Sequence, residues 1–308
     1  MIDLPRSLRN NSAARMLKHP REMTVLEVLT AATGYLKDHG VEHPRLNAEH
    51  LLAHVLRKKR LDLYLEFDRS LSEAERAPFR RLIRDRATRK PLQHLLGTAE
   101  FFGRSFLSDG RALVPRPETE QLVELVIKHL AGGLEDIRIL DVGTGSGVIA
   151  ITLALELPRT AVWATDVSVE ALSLARENAV RHSVRVNFYQ ANLFPALAER
   201  FDCIVANLPY IVSDELAGLQ REVQHDPPAA LDGGPDGLCH IRRLIESAPE
   251  HLTPSGCLAL ELGEGQAEVL SSELAALGYE EVRTWKDYQD IERFTIASPR
   301  RRSDDHAS

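Results

Sequence analysis

Cysteine is scarce: the 308 residues contain three, Cys203, Cys239 and Cys257, with no CxxC spacing. An odd set of this kind supports neither a disulfide framework nor a zinc site, so no metal is expected and a reducing cytoplasm fits best. Long hydrophobic runs are lacking too. The most apolar stretch, residues 148–155, contains Thr152 and is far too short to span a bilayer. The first residues are polar and carry no apolar signal core, so secretion is not expected. Internal repeats and a G-x-x-x-x-G-K-[ST] phosphate loop are also missing.

The composition is that of an ordinary globular protein, 44% hydrophobic and 27% charged, and the length suggests two domains. A net charge of −7 argues against a protein that coats nucleic acid. The mean hides a split. Residues 1–111 hold 21 Lys+Arg against 14 Asp+Glu, a balance of +7, and the remainder hold 17 against 31, a balance of −14.

Residues 1–22 read as a tail. Thr24-Val25-Leu26-Glu27 has the form of a capping box, and Val25, Val28, Leu29, Ala32 and Leu36 recur at helical spacing up to Gly40. A second helix fits residues 44–56. A third starts near Ser72 and carries Arg76, Arg80, Arg81, Arg84, Arg86, Arg89 and Lys90, which read as a solvated face or, in the other reading, as a contact for an acidic protein or RNA. Residues 23–98 are therefore expected to form a small all-α domain, residues 99–133 a linker segment, residues 134–298 the main domain, and residues 299–308 a second tail. In the main domain strands are expected at 137–142, 161–166, 184–190, 203–206 and 257–262, with helices at 148–157 and 169–182. That alternation implies an α/β fold with a doubly wound, mostly parallel sheet, whose ligands sit beyond the carboxyl ends of the strands.

The first of these strands runs into Asp141-Val142-Gly143-Thr144-Gly145-Ser146-Gly147. Alternate glycines let the backbone turn tightly against a ligand. A dinucleotide fingerprint needs a glycine where Val148 stands, so the run matches better the first motif of S-adenosylmethionine-dependent methyltransferases. Asp166 ends the second strand, 23 positions after Gly143, where a carboxylate can accept bonds from both hydroxyls of a ribose; Ser168 is better placed to cap the next helix. Leu193, after Asn192, stands where an adenine ring would pack or where a plain core residue would serve. The fourth strand leads into Asn207-Leu208-Pro209-Tyr210. Asn207 offers a side-chain carbonyl, Leu208 an extended backbone carbonyl before proline, and Tyr210 a flat wall. Two acceptors beside a methyl donor suit a planar –NH2 group, either an amide or a nucleobase amine.

With these segments goes a resemblance to the HemK-type release factor glutamine-N5 methyltransferases, running from about residue 24 to 297. Besides the two loops it includes Leu113-Val114 with the Pro115-Arg116-Pro117-Glu118-Thr119-Glu120 run, residues 227–238 (PPAALDGGPDGL), Leu260-Glu261-Leu262-Gly263 with Gln266, and Asp287 with Arg293. The resemblance implies a class I methyltransferase domain behind a small helical domain. It implies S-adenosyl-L-methionine as donor, S-adenosyl-L-homocysteine as product, and methylation of the glutamine in the Gly-Gly-Gln motif of a peptide chain release factor. By position, Gly143, Thr144, Gly145, Ser146, Gly147, Asp166, Leu193 and Asn207 would bind the cofactor, and Asn207, Leu208, Pro209 and Tyr210 would hold the glutamine amide. A monomer is expected. Leu208 departs from the family's usual proline, which removes a ring that stiffens the loop. Asn-Leu-Pro-Tyr is also the form in rRNA adenine dimethyltransferases, so methylation of an adenine amine stays as an alternative, as does a glutamine of a ribosomal protein or a non-catalytic binder. Domain order and the acidic main domain favour glutamine over nucleic acid.

Overall fold

The structure is a computed structural model that describes residues 22–131 and 136–300. Most of the two tails and the expected 133/134 boundary lie outside the described residues. The chain forms two compact units that divide between Gly97 and Thr98.

The first unit begins with β1 (Met23–Thr24) and α1 (Val25–Asp38). Thr24 and Glu27 close the capping box reciprocally, which satisfies two N–H groups that the first turn leaves open. α2 (Pro44–Leu56), α3 (Asp62–Leu65), β2 (Ser70–Leu71), α4 (Glu73–Ala87) and α5 (Leu92–Leu96) follow. Val25, Val28, Leu29, Ala32 and Leu36 are buried against Leu51, Leu52, Phe79 and Ile83, so the helical periodicity does mark the core. The unit is not purely helical, because β1 pairs antiparallel with β2, Met23 opposite Leu71.

The arginines of α4 do not make one solvated face. Arg76 is buried and pairs with Glu73 at 3.1 Å, and Arg80 pairs with the same carboxylate. Arg89 donates to the Gly40 carbonyl, and buried Arg86 donates its Nε to Asn47 Oδ1 of α2 at 2.7 Å. Arg81 and Arg84 are exposed. Removing Arg86 strands a buried amide, so Arg86→Ala is expected to lower stability by about 1.5–3 kcal/mol, with Arg81→Ala within about 0.5 kcal/mol of the parent. Urea unfolding midpoints check this; equal losses for the two variants would refute it.

Of residues 99–133, expected to be a linker, the described part, 99–131, is folded. It holds the hairpin of β3 (Thr98–Phe101) and β4 (Arg104–Leu107) and then α6 (Pro117–Leu130), which buries Leu122, Val123 and Val126 in the main core. The main sheet then follows: β5 (Arg138–Val142), α7 (Val148–Glu156), β6 (Ala161–Asp166), α8 (Val169–Arg181), β7 (Asn187–Gln190), β8 (Phe201–Ala206), α9 (Cys239–His251), β9 (Leu252–Glu261), α10 (Ala267–Ala276), β10 (Tyr279–Lys286) and β11 (Glu292–Pro299). The seven strands lie in the order β10-β11-β9-β8-β5-β6-β7. β7, β6, β5, β8 and β9 run parallel; β11 is antiparallel to β9, and β10 to β11. β11 ends one residue into the expected second tail.

Alternation along each strand feeds two apolar layers. Ile139 of β5 packs with Ile149 and Ile151 of α7 on one face, and Leu140 packs with Ile204, Leu244 and Leu258 on the other. The strand order reverses between β5 and β8, so their carboxyl ends splay the loops that follow them and open a crevice there.

Candidate active site

β5 enters the glycine loop on Asp141, which is fully buried. Its Oδ2 accepts from Thr144 Oγ1 at 2.6 Å and from the Ala150 N–H at 3.1 Å, tying the loop to the first turn of α7. Burial pushes this carboxyl up to about 7. Gly143 has a positive φ of +73° and lies against the Leu208 side chain, so close that a Cβ at 143 would sit 2.7 Å from Leu208 Cδ2. Leu208 is thus a packed residue, 6% exposed, whose side chain lies against the glycine loop.

Asp166, at the end of β6, accepts the Gly145 N–H on Oδ2 and the Ser168 N–H on Oδ1, both at 2.9 Å. Ser168 Oγ in turn accepts the Ala171 N–H and caps α8, as its position suggests. Thr165 Oγ1 donates to the Leu193 carbonyl at 2.7 Å and so holds the turn after β7 against the sheet.

These ends surround a crevice of about 380 Å³ lined by Gly143, Thr144, Gly145, Ser146, Asp166, Asn192, Leu193, Asn207, Leu208 and Pro209. Gly147, expected at the cofactor, is not among its walls, and neither is Tyr210, expected at the amide. Gly147 faces α8, where a Cβ would meet Ala175 Cβ at 3.0 Å. Tyr210 lines instead an adjoining slot of about 190 Å³, with Leu113, Ile211, Leu219, Val223 and Leu231. Asn207, Leu208 and Pro209 belong to both cavities, so they form the wall where the two meet.

Segments carried by the resemblance alone acquire physical roles here. Arg116 pairs at 2.8 Å with Asp226, whose carboxylate is buried, and this joins the start of α6 to the loop before residues 227–238. That loop lies against Ile211: the Gly233 N–H donates to the Ile211 carbonyl at 2.8 Å, and the Ile211 N–H to the Leu231 carbonyl at 3.1 Å. Gln266 donates from Nε2 to the Tyr210 carbonyl at 2.9 Å and accepts the Gly263 N–H at 2.8 Å. Arg293 donates to Asp287 at 2.9 Å and to the Leu262 carbonyl at 3.1 Å. Gln266 thus braces the end of the Asn207–Tyr210 loop, the 227–238 loop the residue that follows it, and Arg293 the residue after β9.

The contact that sequence reasoning did not assign is a buried pair behind Asn207. Thr119, in the first turn of α6, donates its hydroxyl to Glu261 Oε2 of β9 at 2.8 Å and accepts from Asn207 Nδ2 at 3.0 Å. Both residues stood inside recognised motifs, which was the one available signal. Glu261 is 1% exposed, and burial pushes its carboxyl up to about 7 against the opposing pull of Thr119, Arg293 and, more weakly, the Asn207 side chain itself. Because this value lies above that of an unfolded glutamate, the contribution of Glu261 to stability is full below about pH 4.5 and is lost as pH rises through about 7. Glu261→Gln cannot ionise, so its melting temperature is expected to gain on the parent's between pH 5 and pH 8; parallel curves would refute this.

Fold and crevice together define a class I methyltransferase. Residues 118–266 match the family model described as the methyltransferase small domain, and residues 27–97 match that of the PrmC N-terminal domain. A methyltransferase from Pyrococcus furiosus shares the fold at TM-score 0.50, with 22% identity over 65% of this chain and 91% of that one. The release factor glutamine methyltransferase of Geobacter sulfurreducens is 42% identical over 90% of this chain and 98% of its own length. That of Deinococcus radiodurans is 42% identical over 89% and 98%. The chain belongs to the release factor glutamine methyltransferase family.

Proposed function

We propose that the protein transfers a methyl group from S-adenosyl-L-methionine to the side-chain amide nitrogen of the glutamine in the Gly-Gly-Gln motif of a peptide chain release factor. The observation that carries this reading is the shared wall of Asn207, Leu208 and Pro209 between crevice and slot, since in-line transfer needs donor and acceptor to meet at one point.

The crevice suits the donor. Its volume is that of a pocket for a nucleoside-sized ligand. The Asp166 carboxylate keeps lone pairs for ribose hydroxyls beyond its two backbone bonds, and Leu193 supplies an apolar wall for a purine. When bound, S-adenosylmethionine supplies an electrophilic sulfonium methyl. Asp166→Ala is expected to weaken its binding about 10- to 100-fold, the equivalent of about 1.5–3 kcal/mol, with kcat at saturation within a few-fold of the parent. Calorimetric titration measures this, and unchanged affinity would remove Asp166 from the binding site.

The slot suits an uncharged side chain. Its walls are mostly apolar, the one charged side chain among them, Arg116, is paired with Asp226, and the acidic main domain disfavours a nucleic-acid acceptor. An amide nitrogen is a poor nucleophile because its lone pair is delocalised. The Asn207 side-chain carbonyl and the Leu208 backbone carbonyl accept its two hydrogens, localise its electron density and aim it at the methyl group, and the surplus proton leaves to water. Pro209 and Tyr210 shape the slot around the amide. The deciding experiment incubates purified release factor with the protein and labelled S-adenosylmethionine, then maps the label by mass spectrometry. Label on the Gly-Gly-Gln glutamine is expected; label on rRNA or a ribosomal protein and none on the release factor would overturn the assignment.

A further inference from the structure

An asparagine amide is nearly symmetric in shape, so packing hardly distinguishes its two orientations, and the hydrogen bonds behind it must choose. The choice matters here. With oxygen forward, Asn207 accepts a substrate N–H; flipped, it points one NH2 group at another. Behind Asn207 stand two groups from distant parts of the chain, Thr119 of α6 and Glu261 of β9.

We infer that Thr119 and Glu261 form a one-way hydrogen-bond relay that fixes the Asn207 amide with its carbonyl toward the slot, which makes them positioning residues for the methyl acceptor. An ionised carboxylate only accepts, so the Thr119 hydroxyl spends its single proton on Glu261. The Thr119 oxygen then faces Asn207 with lone pairs alone, and only the Asn207 NH2 can meet it. The oxygen of the amide is left on the opposite side. Thr119 and Glu261 are removed from bulk water, at 3% and 1% exposed, so the bond between them is shielded from solvent, while Asn207 is half-buried at the cavity wall.

The charged groups facing Glu261 are Arg293 of β11, which favours its carboxylate, and Glu118 of α6, which opposes it; the Tyr210 hydroxyl is held neutral by burial. A protonated Glu261 can donate to Thr119, which frees the Thr119 proton for Asn207 and lets the amide turn. The relay therefore weakens in acid.

The inference rests on the proposed amide acceptor, so its test has one reading that needs no acceptor. Thr119→Val keeps the shape and removes the hydroxyl; Thr119→Ser restores it. In the full chain, T119V is expected to lower kcat on the release factor at least 10-fold and, because Thr119 also lines the crevice, to change S-adenosylmethionine affinity by no more than a few-fold, with T119S within about 2-fold of the parent. E261Q is expected to lose the parent's fall in kcat below about pH 7. Without any acceptor, hydrogen exchange of the Asn207 side-chain NH2, followed by NMR, is expected to accelerate at least 5-fold in T119V and not in T119S. If T119V fails to bind S-adenosylmethionine, T119A takes its place. Equal kcat in the valine and serine variants, or unaltered exchange in both, would overturn the relay. Altered exchange in T119V, with no methylation by the parent, would instead overturn the proposed acceptor and leave the relay standing.

Discussion

Asn207→Ala is expected to lower kcat by roughly 30- to 1,000-fold while changing S-adenosylmethionine affinity by no more than a few-fold. The side chain forms part of the wall between the two cavities, so its loss falls on the reacting amide rather than on the far end of the cofactor. What is removed is one of two acceptors aimed at the nucleophile, and deletion of an oriented polar group of this kind costs about 2–4 kcal/mol in the transition state. The Leu208 carbonyl remains, because it belongs to the backbone and its side chain stays packed against Gly143. Single-turnover kinetics with release factor, alongside calorimetric titration of the cofactor, separates the two quantities. Full methyl transfer by the alanine variant would disprove the role given to Asn207.

The second large effect is expected at a position with no chemistry of its own. Gly237 has a φ of +77°, and a Cβ there would lie 2.3 Å from the Tyr210 backbone oxygen and 2.5 Å from Gln266 Nε2. Alanine must therefore push the Tyr210 carbonyl away from the amide that holds it. Backbone cannot yield as the end of a flexible side chain does. Gly237→Ala is expected to lose about 2–5 kcal/mol of stability, from about 1–2 for the left-handed backbone and about 1–3 for overpacking, and to lower kcat at least 10-fold. Gly278→Ala is the control: φ is +84° and nothing lies within 4 Å of its Cβ, so only about 1–2 kcal/mol is lost and kcat is unchanged. Denaturant unfolding and steady-state kinetics of both variants check this. Equal behaviour of the two would refute the steric argument.

Legibility in the sequence followed the range of the forces involved. Helices announced by caps and period were read closely: Thr24 and Ser72 both close capping boxes, and α8 ends one residue from its expected limit. β5, β6 and β8, buried on both faces, stood out as apolar runs. β10 was not expected because its Glu280, Glu281 and Arg283 are those of an exposed edge strand; β11 was not expected either, although it lies between β10 and β9 with Phe294–Ala297 buried. Residues 99–133 read as a linker on the resemblance of residues 113–120 to a family linker segment, yet Pro117 sits in the first turn of α6, where a missing N–H costs nothing. The arginine run of α4 was even in sequence and uneven in space, since Arg76 and Arg86 turn inward.

The sequence by itself determined the alternating α/β order, the glycine loop with Asp166 and the Asn207–Tyr210 loop, because these depend on local backbone chemistry and on short-range periodicity. The tertiary structure alone decided which way the Asn207 amide points. Thr119, Asn207 and Glu261 lie far apart along the chain, and the direction of a hydrogen bond is settled only by the atom that stands at its other end.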